Sequence, residues 1–269
     1  MTCQLDDDDT TPTGNAEVIA ELRATLAEPA LAVADWGAAT SPGVRRQINE
    51  DAWGRRADAF VVADGMGGRG GGALAARTAI DRFLARLDSA GDHPDWRPIV
   101  ESVNNDVVRI GRERGVERLG TTLLAAIVGG PVATVVHVGD SRAYRLTSPD
   151  AHSRLDVLTN DHNVRSELLA AGLDIREYRE RGVALHGLTS FIGLEHEALR
   201  VDVLAVPVRA GDRLLLCTDG IHRQLDDDEL RAALGLPDCR LAAERLVEHA
   251  DEVGGRDNAT ALVVEVGVR

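Results

Sequence analysis

The sequence contains no lysine: all 30 of its basic residues are arginine. That removes any phosphate-binding loop of the GxxxxGK[ST] kind. Cysteine is scarce and odd in number (Cys3, Cys217, Cys239), without Cys-x-x-Cys spacing. That count and spacing argue against a disulfide framework and a thiolate zinc site, and Cys217, inside an apolar run, is expected to be a small core residue. Aromatics make up only 3% of the chain, so the core must be built from Val, Leu, Ile and Ala. No apolar run reaches the about 18 residues of a membrane-crossing helix. Met1 to Asp9 shows neither the basic region nor the apolar stretch of a secretory signal, and a cytoplasmic location is expected. Excess positive charge is lacking too. The formal net charge of −14 argues against nucleic acid or an anionic membrane as the main partner, and suits a protein that concentrates cations.

What is present reads as one large domain behind a tail. Residues 1–30 comprise an acidic tail, with the run Asp6–Asp9, and a short helix from Asn15 to Glu28 that Pro29 ends. From Leu31 onward, apolar strands alternate with amphipathic helices. Ala59–Ala63 reads as a buried strand; Gly71–Leu87 and Trp96–Arg114 read as helices. Thr121–Val128 and Val132–Val138 flank Gly129-Gly130-Pro131, a hairpin signal. Arg142–Leu146, Leu155–Leu158, Leu199–Val206, Arg213–Cys217 and Ala259–Val266 read as further strands. Asn163–Arg181 is polar and helical in tendency, and Asp227–Leu234 and Leu241–Val253 read as helices. Hairpins outnumber single crossovers, which points to antiparallel sheets flanked by helices.

One feature recurs: acids stand at strand ends. Asp64 follows AFVVA, Asp140 follows TVVHVG, Asp219 follows RLLLCT, Asp257 precedes ATALVVEV, and Glu50-Asp51 precede Ala52-Trp53. Each alone could be a turn residue. Converging, six such acids would repel unless cations lay between them. Oxygen-only ligands without His or Cys select hard ions, Mg²⁺, Mn²⁺ or Ca²⁺, and a carboxylate site for two ions is common machinery for phosphate ester hydrolysis. Arg46, four residues before Glu50, is either a bidentate phosphate clamp or a solvated charge. The glycines of Asp64–Gly72 fit neither dinucleotide nor nucleotide loops. They let backbone pass close to a metal, with Gly65 offering its carbonyl.

These blocks resemble the type 2C (PPM) family of metal-dependent serine/threonine protein phosphatases, in its bacterial style. They are GVRRQINEDA from Gly43, VVADGMGG from Val61, LGTTLLAA from Leu119, VGDSRAYRL from Val138, LTNDH from Leu158, LTSFIG from Leu188, LLLCTDGI from Leu214 and RDNATALVV from Arg256, in family order. The resemblance covers residues 31–269 and implies an α+β, four-layer α-β-β-α sandwich of two antiparallel sheets flanked by helices. By that similarity Asp64 bridges two Mn²⁺ or Mg²⁺ ions, Asp219 and Asp257 complete the shell of the first, and Glu50 and the Gly65 carbonyl serve the second. Asp51 holds water on the metals, Arg46 binds the substrate phosphate, and Asp140 with Asp219 takes a third, weaker ion. Residues 163–190 match a flap beside the site. Two departures touch the proton donor: Met66 stands where animal members have His, and Arg69 where bacterial members usually have it. His162 is either that donor or a structural hydrogen-bonding residue.

The implied reaction is hydrolysis of phosphoserine and phosphothreonine by in-line attack of a metal-bridging hydroxide. No covalent intermediate is expected, because there is no Cys-x5-Arg loop. The expected partners are phosphoproteins, targets of a Ser/Thr kinase, and a monomer is expected. Two alternatives stand beside it: a silent relative acting as a binding module, and a metal-dependent hydrolase of a small phosphorylated metabolite.

Overall fold

The computed structural model describes residues 31–67, 71–91, 94–116, 119–147, 153–194 and 199–268. The acidic tail, the expected helix from Asn15 to Glu28, Cys3 and Arg69 lie outside them.

Five strands, β1 (Leu31–Ser41), β12 (Ala259–Val268), β11 (Arg213–Cys217), β8 (Arg142–Leu146) and β9 (Leu155–Val157), form one antiparallel sheet in that order. A second has the order β10 (Asp202–Pro207), β7 (Val132–Val138), β6 (Leu123–Gly129), β3 (Ala59–Ala63), β2 (Ala52–Arg56). The short strands β4 (Gly65–Met66) and β5 (Gly120–Thr121) pair beside it.

Why AFVVA, and RLLLC after its leading Arg213, are apolar follows from the layers. Successive strand side chains point to opposite faces, and here both faces are covered. Phe60, Val62, Leu214 and Leu216 meet between the sheets, with Leu124, Val135, Leu262 and Val264. Val61 and Ala63 face outward onto α1 (Gly71–Leu87) and α2 (Trp96–Arg114), where Ile80, Phe83, Val103 and Val107 close a second core. Leu215 and Cys217 face a third, under α6 (Asp227–Leu234) and α7 (Cys239–Glu252). The result is the expected four-layer sandwich. Cys217 is fully buried, its thiol pushed far up by that burial, and so inert.

The helical tendency of 163–181 resolves into two short helices, α3 (Val164–Ala170) and α4 (Ile175–Glu180). Gly172, at φ +71°, turns the chain between them. Neither helix buries a residue, so this segment contributes little to the core and is expected to open at low cost.

One buried charge ties an outer layer to its sheet. Arg213, 4% exposed, donates to Glu265 at 2.6 and 2.8 Å, to the Leu234 carbonyl at 2.8 Å, to the Pro237 carbonyl at 3.1 Å, and to the Leu236 carbonyl. The turn between α6 and α7 is pinned to the sheet through this one guanidinium.

Candidate metal centre

Register brings the acidic strand ends together. Ala52 pairs with Ala63 and Leu123 with Val138, so Asp51, Asp64 and the Gly139-Asp140 turn leave the second sheet at one end. Cys217 pairs with both Arg142 and Ala261, which places Asp140, Asp219 and Asp257 at the matching end of the first sheet. Asp64 stands at the centre. Burial first, then repulsion from Asp51, Asp219, Asp140 and Asp257, holds its carboxyl well above the ordinary carboxylate range. Asp219 and Asp64 lie within hydrogen-bonding reach of each other, and burial with repulsion from Asp257 raises Asp219 as well, against the pull of Arg223.

The supports of these acids are mostly threonines. The Asp64 N–H donates to Thr122 Oγ1 at 2.9 Å, and its carbonyl accepts from Thr122 N–H and Thr121 Oγ1, both at 2.9 Å. Asp51 Oδ2 accepts from Thr218 Oγ1 at 2.8 Å and Thr260 Oγ1 at 2.7 Å. Its other oxygen, Oδ1, is buried without a hydrogen-bond partner among the described residues. Burial pushes Asp51 up to about 7, with the threonine hydroxyls opposing and Asp219 and Asp257 adding repulsion.

Glu50 lies on the Gly65 side. Its Oε1 accepts from the Gly72 N–H at 3.0 Å, in the first turn of α1, where a carboxylate is favoured. A Cβ on Gly65 would sit 2.2 Å from the Gly72 carbonyl oxygen, so only glycine lets the strand end cross the helix start this closely. Asn258 fixes the loop carrying Arg46 and Glu50: its Nδ2 donates to the Pro42 and Ile48 carbonyls, and its Oδ1 accepts from Glu50 N–H, all at 2.9 Å. Arg46 itself is half-exposed and reaches Asp257 at 2.9 Å.

Asp140 is held differently. Its carboxylate accepts from Arg223 Nη2 at 2.5 Å and its carbonyl pairs with His222 Nε2 at 2.9 Å. Burial and Asp219 still push it up to about 7 against the pull of Arg223. Neither Arg223 nor the supporting threonines were singled out from sequence. A signal for Arg223 existed, four residues after Asp219 at the spacing of neighbours on a helix. His162 is fully buried, with Nδ1 accepting from Gly139 N–H at 3.2 Å and Nε2 on Asp202 at 2.9 Å. Both ring nitrogens are engaged, so His162 braces the turn before Asp140.

Crowded carboxylates held above their ordinary range, an orphaned buried carboxylate oxygen and an all-oxygen donor set fit hard divalent cations. A stability signature follows. Asp51 and Asp140 move from 3.8 to about 7 on folding, so without metal their contribution to stability falls as pH rises from about 4 to about 7. Buried His137 and His222, lowered to about 3 and about 4, contribute in the opposite sense but lie outside the acid cluster that metal would occupy. The melting-temperature gain from added Mn²⁺ should therefore be small at about pH 5 and largest above about pH 7. Calorimetric scans with and without Mn²⁺ at both pH values check this.

A family model described as protein phosphatase 2C matches residues 40–254. This chain belongs to the protein phosphatase 2C family. It is 31% identical over 240 residues to the serine/threonine protein phosphatase PstP of Mycobacterium tuberculosis, covering 86% of this chain and 45% of PstP. It thus spans about half the length of that relative. It is 33% identical to the serine/threonine phosphatase stp of Listeria monocytogenes, over 76% of this chain and 83% of that one. A crystal structure of the PstP catalytic domain in complex with two manganese ions superposes with a TM-score of 0.74 at 31% identity, covering 89% of this chain and all of that one. Among the described residues no helix of this family member is long and apolar enough to cross a membrane.

Proposed function

We propose that this chain is a Mn²⁺- or Mg²⁺-dependent serine/threonine protein phosphatase acting on phosphoserine and phosphothreonine. The observation that carries the reading is the meeting of Asp51, Asp64, Asp140, Asp219 and Asp257 at one end of the sandwich, with Asp64 in their midst. Membership of the family and the likeness to PstP support it. Asp64 would bridge two ions, Asp219 and Asp257 would hold the first, and Glu50 with the Gly65 carbonyl the second. Bound ions supply Lewis-acid polarisation of the phosphate ester and acidify water near neutral pH. Asp51, clamped through one oxygen by two threonines, keeps its other oxygen to orient and receive a proton from water. The silent-module reading is disfavoured because all six acids are present. We place the substrates among cytoplasmic phosphoproteins marked by a Ser/Thr kinase, and the working form as a monomer.

Arg46 sits at the mouth, paired with Asp257 across a half-exposed contact. Such a pair is worth little, so the guanidinium is free to turn onto a phosphate. Arg46→Ala should raise KM or lower kcat/KM by about 10- to 150-fold, the equivalent of one charge-assisted contact of ~1.5–3 kcal/mol. Calorimetric Mn²⁺ affinity should stay within a few-fold; unchanged kinetics would make Arg46 a solvated charge.

A substrate panel tests the reading itself. Phosphoserine and phosphothreonine peptides and small phosphorylated metabolites, each with Mn²⁺, should separate by kcat/KM in favour of the peptides. Preference for a metabolite would replace the phosphoprotein reading, and no turnover of any ester would restore the binding-module one.

A further inference from the structure

The family resemblance implies a third, weaker ion on Asp140 and Asp219. The space between those two carboxylates is filled by a side chain of this protein. Arg223 Nη2 lies 2.5 Å from Asp140 Oδ2, and Nη1 lies 2.5 Å from Asp219 Oδ2. The guanidinium is planar and always charged; one terminal nitrogen donates to Asp140 while the other makes an ion pair with Asp219.

This contact is built in by the backbone. Arg223 directly follows the short helix α5 (Asp219–His222), and its N–H donates to the Asp219 carbonyl at 3.0 Å. Its neighbour His222 grips the Asp140 carbonyl at 2.9 Å. The two acids and the cation between them are thereby held in one frame. Arg223 takes only one oxygen of Asp219, whose carboxyl also stays within reach of Asp64. The pair expected around Asp64 therefore keeps its ligands. A further divalent cation on Asp140 would meet a fixed positive charge and an oxygen already engaged.

We propose that Arg223 is a resident cation that takes the place of a third metal ion, so that this centre works with two ions only. This rests on the two-ion reading above. Arg223 neutralises Asp140 and Asp219 as an ion would, but carries no exchangeable water. Any proton for the departing Ser or Thr oxygen must then come from elsewhere in the centre. Beyond Arg223 opens a cavity of about 280 Å³, lined also by Arg142, Asp161, Arg165 and His186. The outer edge of the guanidinium is thus on the solvent side of the site, and its removal leaves a route for an incoming ion.

The test is the Mn²⁺ stoichiometry of the chelator-stripped full chain, by calorimetric titration and equilibrium dialysis. The wild type should bind two ions up to millimolar Mn²⁺, and Asp140→Asn should leave that number unchanged. Arg223→Ala should gain a third, weaker ion, lost again on adding Asp140→Asn, and its melting temperature should rise more with Mn²⁺ than that of the wild type. Where Arg223→Ala does not fold, Arg223→Gln carries the same comparison. A wild type that binds three ions and loses one in Asp140→Asn overturns the proposal. So does an Arg223 variant that still binds two. A wild type that binds no Mn²⁺ removes the metal reading as a whole, and is distinguishable from both.

Discussion

Asp64→Asn is expected to bring phosphopeptide hydrolysis to background while the chain stays folded. The loss should exceed the ~10–100-fold typical of changing a group that only supports a ligand, because Asp64 stands among four other carboxylates. In the proposed two-ion centre, its removal would deprive both ions of their shared ligand at once. The fold should not suffer. Without metal the Asp64 carboxyl is held toward its neutral form by burial and by its neighbours, and asparagine has nearly the shape of a neutral acid. Deleting one charge from a repelling cluster relieves strain rather than adding it. The apo variant should melt at or above the wild type. Steady-state kinetics paired with calorimetry decide: a variant at the wild-type rate, or one that unfolds, contradicts the role.

The largest stability effect is expected far from that centre. Arg213→Ala removes a buried guanidinium from Glu265 and from the carbonyls of Leu234, Leu236 and Pro237. Breaking a buried pair from one side leaves the other charge uncompensated, at ~3–5 kcal/mol. Glu265 keeps some contact with solvent, so the lower end, about 3 kcal/mol, is expected. Urea unfolding should show it as a lower midpoint at unchanged slope, with Mn²⁺ affinity of the folded protein unaltered. Replacing both partners by apolar side chains of similar volume should recover much of the loss. A shift under about 1 kcal/mol would mean that the turn between α6 and α7 is held by its apolar contacts alone.

How far the sequence alone led depended on where the determining contacts lie. AFVVA announced a strand buried on both faces, and VATVVHV and RLLLC announced strands, because a strand between two covered layers is mostly apolar. Asp64, Asp140, Asp219 and Asp257 were legible because each stands within two residues of an apolar run. β1 was not assigned: LAVADWGAATS has no consistent alternation. It is held instead by its register with β12 and by Gly37, where a Cβ would lie 2.2 Å from the Arg240 backbone. β2 has the same character, with Gly54 lying against Ile80. The supports of the site were equally hidden. Thr218 and Thr260 are 42 residues apart when Thr218 Oγ1 accepts from the Thr260 N–H, and both reach Asp51 from across the molecule. Nothing in the sequence places Arg223 beside Asp140; the strand ends bring them together.

The claim that these acids work as a cation-holding catalytic centre is tested most directly by titrating Mn²⁺ into chelator-stripped protein while following hydrolysis of a phosphoserine peptide. The account predicts no turnover without metal, recovery that saturates with Mn²⁺, and renewed loss on adding EDTA, with the chain folded throughout by circular dichroism. Full activity of the stripped protein, unaffected by EDTA, would contradict it.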